Sequence, residues 1–183
     1  MEETAGGPPL LSGPGDPALR GKWCALLSGR RGPLPARTLR DVTDFLQRLL
    51  RLWTEPVADG RAARAAFAQV YADPLTVNGS PMTVAQLMDR ARSLQRAFEG
   101  LSMQILDQVE TPDRLVIAFT MRGRHVGTYA SALGDVPPTG RDVEVRTIDD
   151  LTITDGLVSA IWVVADDLGL LSQLGAVNLA DPP

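Results

Sequence analysis

The chain changes its hydrophobic period once, near residue 100, and that single change limits the folds open to it. Before the change, apolar residues recur at helical spacing: Val42, Phe45, Leu46, Leu49, Leu50 and Trp53 form one stripe, and Val84, Leu87, Met88, Ala91, Leu94 and Phe98 form another. After it the period is two, the mark of strands with one apolar face. Helices first and a run of one-faced strands after them predict an α+β fold, with the helices packed on one side of a strongly curved antiparallel sheet.

Local signals place the elements. Thr38 with Asp41, and Thr83 with Gln86, have the spacing of capping boxes and predict helices over 38–54 and 84–98, the second stopped by Gly100. An alanine-rich helix over 60–70 lies between them and is broken by Asp73 and Pro74. A short strand over 75–78 ends at the turn Asn78–Gly79. Longer strands are expected over 102–109, 114–124, 142–154 and 157–165, with Asp155–Gly156 as a two-residue hairpin turn between the last two. A terminal helix over 168–174 follows, for which Asp166 is the expected cap.

Residues 1–37 are rich in Pro and Gly and read as a flexible arm, interrupted by the small apolar island of Trp23, Leu26 and Leu27. Residues 178–183 read as a tail, which leaves one domain over 38–177. The formal net charge is -4 with both signs interspersed, so neither a nucleic-acid stripe nor a polybasic membrane helix is present in the pattern. No apolar run approaches the roughly 20 residues of a membrane span. A single cysteine, Cys24, and a single histidine, His125, exclude a disulfide framework and a closed zinc site. With an acidic N-terminus unlike a signal peptide, these features point to the cytoplasm and to small, uncharged or weakly charged ligands.

Two titratable groups sit on the apolar side of the alternation. Between 143 and 153 the residues Val143, Val145, Thr147, Asp149, Leu151 and Ile153 share one parity, while Glu144, Arg146, Asp150 and Thr152 hold the other. Asp149 is therefore expected to point inward and Asp150 outward. In the preceding strand His125 shares the parity of Leu115, Ile117, Phe119 and Met121. An inward carboxylate is either a base, with its pKa raised by desolvation, or a structural group tied to arginine or backbone donors. His125 is either a donor in the pocket or a satisfied core histidine. Asn78 is either an amide aimed at a substrate carbonyl or simply a turn residue. Phe119, Met121, Tyr129 and Trp162 are candidates to line an aromatic ligand site, or are plain core. The motifs of nucleophile elbows, dinucleotide-binding loops, phosphate loops and paired metal ligands are missing from the sequence.

One further set of residues carries a family likeness. Pro137, Pro138, Thr139, Gly140 and Arg141, then Asp155 and Gly156, then Trp162, Asp166, Gly169, Leu170, Leu171, Gln173, Leu174 and Gly175 together resemble the SnoaL-like polyketide cyclases, part of the cone-shaped superfamily related to nuclear transport factor. The resemblance implies that the curved antiparallel sheet forms a cone-shaped barrel enclosing a pocket at its open end, and that Asp149, six residues before the Asp155–Gly156 turn, is the base of an intramolecular aldol closure. It implies that His125 and Asn78 are the polar residues of the cavity, and that neither metal nor organic cofactor takes part.

The expected function is thus cofactor-free ring closure of a small hydrophobic polyketide by acid and base chemistry. Between His125 and Pro137 the chain carries the long segment GTYASALGDV, which motivates an alternative: a cyclase or isomerase acting on an epoxide or polyene. A noncatalytic ligand-binding or assembly subunit is the third reading. Ile148, Ile161 and Val163 are assigned to the outer sheet face, where a homodimer would bury them.

Overall fold

The computed structural model describes residues 39–56 and 60–177. The expected arm over 1–37, the cap residue Thr38 and the tail over 178–183 lie outside the described residues. Four helices and eight strands follow in the order α1 (Leu39–Thr54), α2 (Gly60–Ala68), β1 (Tyr71–Val77), β2 (Ser80–Met82), α3 (Val84–Ala97), β3 (Phe98–Thr111), β4 (Arg114–His125), β5 (Tyr129–Ser131), β6 (Gly134–Val136), β7 (Asp142–Thr154), β8 (Leu157–Ala165) and α4 (Asp167–Leu174).

Capping fixes α3 and α4 as the sequence predicts. The Thr83 side chain accepts from the Gln86 backbone N–H at 3.3 Å, and the Gln86 side chain accepts from the Thr83 N–H at 2.9 Å, a reciprocal box that satisfies two otherwise orphaned donors. Asp166 caps α4 by accepting from the Gly169 N–H at 2.8 Å. Gly100, expected to stop α3, lies instead inside β3. The helix passes directly into extended backbone at Phe98, and Gly100, at φ 63°, occupies a bulge where the β3–β4 register shifts between Glu99 and Ser102.

Six strands form one sheet in the order β2-β1-β8-β7-β4-β3. It is open, cone-like and mixed: β1 runs parallel to β8, and the remaining pairs are antiparallel. The β1–β2 and β7–β8 turns each carry positive φ at two successive residues, Asn78 (47°) with Gly79 (79°) and Asp155 (51°) with Gly156 (84°), the geometry that matches the twist of the strands they join. The long segment after His125, which the alternation left unassigned, makes a hairpin of its own from β5 and β6, packed against α3.

The core divides in two. Val42, Phe45, Leu46 and Leu49 of α1, with Leu87, Met88 and Ala91 of α3, cover Leu115, Ile117, Leu151, Val158 and Ile161 of the sheet. A second cluster joins Phe98, Met121, Val143 and Val145 to Leu170, Leu171 and Leu174 of α4.

Candidate active site

Along the helix-covered face of the sheet, packing is incomplete and a cavity remains, with ≈ 950 Å³ of empty space measured out to its open mouth. Its wall is almost wholly apolar. Leu49, Leu50 and Trp53 come from α1, Phe119 and Met121 from β4, and Val163 from β8.

Asp149 is the carboxylate in the floor. Its backbone pairs with Ile117 of β4 on one side and Val163 of β8 on the other, so a strand buried on this face carries a carboxyl group where its neighbours carry aliphatic side chains. The oxygen Oδ1 is buried with no hydrogen-bond partner among the described residues. Burial pushes the Asp149 pKa from its usual 3.8 to about 7, because an ionised carboxylate is poorly solvated there. The alternative of a carboxylate tied to arginine is not what the described residues show: Arg114 pairs with Asp150 on the opposite face, Nε to Oδ1 at 3.1 Å. Asp149 inside and Asp150 outside is the register that the alternation predicts.

Phe119, Met121 and Tyr129 all line the cavity. Tyr129 reaches it from the β5–β6 hairpin and meets Phe98 edge to face, with ring centroids 5.5 Å apart.

His125 does not line it. The residue lies on the expected face but past the end of the cavity, fully buried in the second core cluster beside Phe98, with ring centroids 5.2 Å apart. The segment 137–141 folds back over it. The Gly140 N–H donates to the His125 carbonyl at 2.8 Å and the His125 N–H donates to the Arg141 carbonyl at 2.9 Å. The Thr139 N–H donates to Nδ1 at 3.3 Å, which makes Nδ1 the acceptor and leaves the proton on Nε2. Burial lowers its pKa, with the Gly127 backbone opposing. Parity was right and depth was wrong: the strand outruns the cavity.

Asn78 is also displaced from its expected place. In the left-handed conformation of the hairpin turn, it clamps β8 from the side. Its Nδ2–H donates to the Val163 carbonyl at 3.2 Å, and its Oδ1 accepts from the Val163 N–H at 2.8 Å, a side-chain imitation of one more rung of sheet. Both amide atoms are used and it does not line the cavity.

Trp162 is on the outer face, 58% exposed, opposite Asp150. The cause is a bulge. Ile153 pairs with Val158 but Thr152 pairs with Ala160, so Ser159 is an extra residue and every side chain beyond it changes face. Ile161 and Val163, assigned to the exterior, therefore point in, while Ile148, Trp162 and Val164 make up the outer apolar face.

Tyr71, which the sequence did not single out, and Trp53, read there only as part of a helical stripe, add to the site. Tyr71, at the start of β1, is buried and lines the cavity, and the Trp53 indole N–H donates to its hydroxyl at 2.9 Å. Burial raises the Tyr71 pKa well beyond its ordinary value, and the charge of Asp149 adds to that. The position carries no spacing signal: a tyrosine between a helix and an Asp-Pro pair reaches the site only because β1 docks on β8.

Among the described residues, no group of three or more His, Cys, Asp or Glu is placed to hold a metal ion. No helix among them is long and apolar enough to cross a membrane.

The model of the SnoaL-like polyketide cyclases matches residues 43–174. Among solved structures, TsrD from Streptomyces laurentii is similar at 24% identity and a TM-score of 0.65, over 77% of this chain and 99% of that one. A SnoaL-like polyketide cyclase from Agrobacterium tumefaciens is similar at 19% identity and 0.59, over 76% and 99%. IdmH from Streptomyces antibioticus is similar at 21% and 0.57, over 73% and 97%. No curated protein matches the chain.

Proposed function

Because the chain belongs to the SnoaL-like polyketide cyclases, we propose that it closes a ring in a hydrophobic, carbonyl-rich polyketide, with Asp149 as the base and without a cofactor. The observation that carries this reading is the unpaired carboxyl in an apolar cavity. A carboxylate held by arginine has no proton affinity to spare, whereas one whose pKa is raised to about 7 is poised to take a proton near neutral pH.

The step balances without help from another reagent. Asp149 removes the proton from a carbon flanked by two carbonyl groups, and the C–H electron pair becomes an enolate. The enolate carbon attacks a ketone of the same molecule, forming the new C–C bond, while the carbonyl π pair moves to oxygen. That alkoxide recovers the proton. Substrate and product are isomers, which suits a site whose polar groups are the carboxyls of Asp149 and Asp167, the exposed Arg90 and the hydroxyls of Tyr71, Tyr129 and Thr147.

The test uses a synthetic aromatic ring bearing a ketone arm and a neighbouring β-keto ester arm, with cyclisation followed chromatographically. Asp149→Asn keeps the shape of the side chain and removes its basicity. Turnover is expected to fall at least about a hundredfold with binding retained, and the parent rate is expected to rise with pH as Asp149 ionises. Parent-level turnover in Asp149→Asn would refute the proposal. Binding without turnover in the parent would favour the noncatalytic reading, and turnover of an epoxide or polyene alone would favour the alternative cyclase.

A further inference from the structure

An enolate formed beside Asp149 is itself an anion in an apolar cavity, and a donor has to meet its oxygen. His125, the donor expected from the sequence, lies outside the cavity. We propose that the Tyr71 hydroxyl, oriented by the Trp53 indole N–H, forms an oxyanion subsite that receives the enolate and alkoxide oxygens of the substrate; this rests on the acid–base reading of Asp149.

Geometry supports this first. A phenol oxygen that accepts one hydrogen bond keeps one O–H to give. Trp53 Nε1 occupies the Tyr71 oxygen at 2.9 Å, and no acceptor for the Tyr71 proton is present among the described residues. The hydroxyl belongs to a buried residue that lines the cavity, so its proton is offered to whatever fills that space. Because the phenol pKa is raised, Tyr71 keeps its proton throughout the working range and acts as a donor, never as a competing base.

The other polar groups of the wall fit the role less well. Thr147 lies on the strand of Asp149, two residues away, and projects roughly parallel to it, about 6.6 Å along the sheet. Tyr129 is coupled by charge to Asp167, whereas Tyr71 is coupled to Asp149. Arg90 lines the cavity but is exposed to solvent. Of the two cavity tyrosines, Tyr71 is the fully buried one and the one coupled to the base. The proton path closes accordingly: the enolate oxygen is held by Tyr71 O–H, the aldol alkoxide forms within reach of the same donor, and Asp149 returns the proton it took.

The probe is 2-naphthol, whose naphtholate form stands for a planar, delocalised enolate, and naphthalene, which has the same apolar body and no oxygen. In Asp149→Asn, which mimics the base after it has taken its proton, naphtholate is expected to bind, with the bound ionised fraction read from its absorption. Adding Tyr71→Phe should weaken naphtholate at least about tenfold, the scale of one lost hydrogen bond to a charged group, and leave naphthalene binding unchanged. Trp53→Phe in the same background should lower the ionised fraction of bound naphthol while naphthalene still binds. No naphtholate binding by Asp149→Asn, or equal binding with and without the Tyr71 hydroxyl, would overturn the subsite.

Ring closure separates this inference from the reading beneath it. In Tyr71→Phe, kcat on the β-keto ester substrate should fall about a hundredfold with little change in KM. If Asp149→Asn closes the ring at the parent rate, the base assignment is wrong. If Asp149→Asn is slow and Tyr71→Phe is fast, the oxyanion subsite alone is wrong.

Discussion

Asp149→Asn should make the protein more stable, and more so at high pH than at low. The native carboxyl holds its proton up to about pH 7, while in the unfolded chain the same group ionises at its usual 3.8. Between those values the native state binds one more proton than the unfolded state, so stability falls as pH rises. Below the window both states are protonated, and above it both are ionised, with the full cost of the buried charge in place. The interval from 3.8 to about 7, at about 1.4 kcal/mol per pH unit, comes to about 4 kcal/mol. Water entering the open mouth screens part of this, which leaves about 2–4 kcal/mol. Urea unfolding of both proteins, followed by circular dichroism from about pH 4 to about pH 9, gives the comparison. Other carboxylates titrate alike in the two proteins and cancel in the difference. The stability advantage of the variant should grow by about 2–4 kcal/mol across the window and then level off. A constant advantage at every pH would mean that Asp149 is not buried as described, and the argument for its basicity would fall with it.

Asn78→Ala removes both hydrogen bonds to Val163 and leaves a left-handed residue without its side-chain support; a loss of about 1–3 kcal/mol in unfolding free energy is expected, with the pH dependence of activity unmoved. His125→Gln should lower the melting temperature through its buried contacts with Thr139 and Phe98, yet leave the pH at which activity turns on unchanged; a shift in that pH would bring the imidazole back into the chemistry. The outer face carrying Ile148, Trp162 and Val164 is proposed to pair two copies of the chain, so sedimentation should show a dimer at micromolar concentration and Trp162→Glu should dissociate it.

How far the sequence could be read depended on where the sheet is regular. From Arg114 to Arg124, β4 pairs with β7 without a break, so parity carried Asp149 and Asp150 to the correct faces. One extra residue, Ser159, was enough to reverse the assignment of Trp162, Ile161 and Val163, because a bulge leaves no mark in an apolar run such as IWVV. Parity also says nothing about depth, which is why His125 fell on the right face and outside the cavity. Asn78 and Gly79 were legible as a turn, but the clamp on Val163 depends on a strand far along the chain. For the same reason Tyr71 was silent: its place at the site is a property of topology.

That topology bears on how the protein is made. The strand carrying Tyr71 is among the earlier parts of the domain to leave the ribosome, and its parallel partner β8 is almost the last. Contacts between such distant segments form late, since loop closure must precede them. Helices α1 to α3 and the β3–β4 hairpin can assemble on the nascent chain, but the wall between Tyr71 and Asp149 waits for Leu157–Ala165. A chain halted before that strand would hold the base and lack the enclosure. The apolar lining stays exposed until β8 has been made, the interval in which such a surface is open to chaperones and to aggregation.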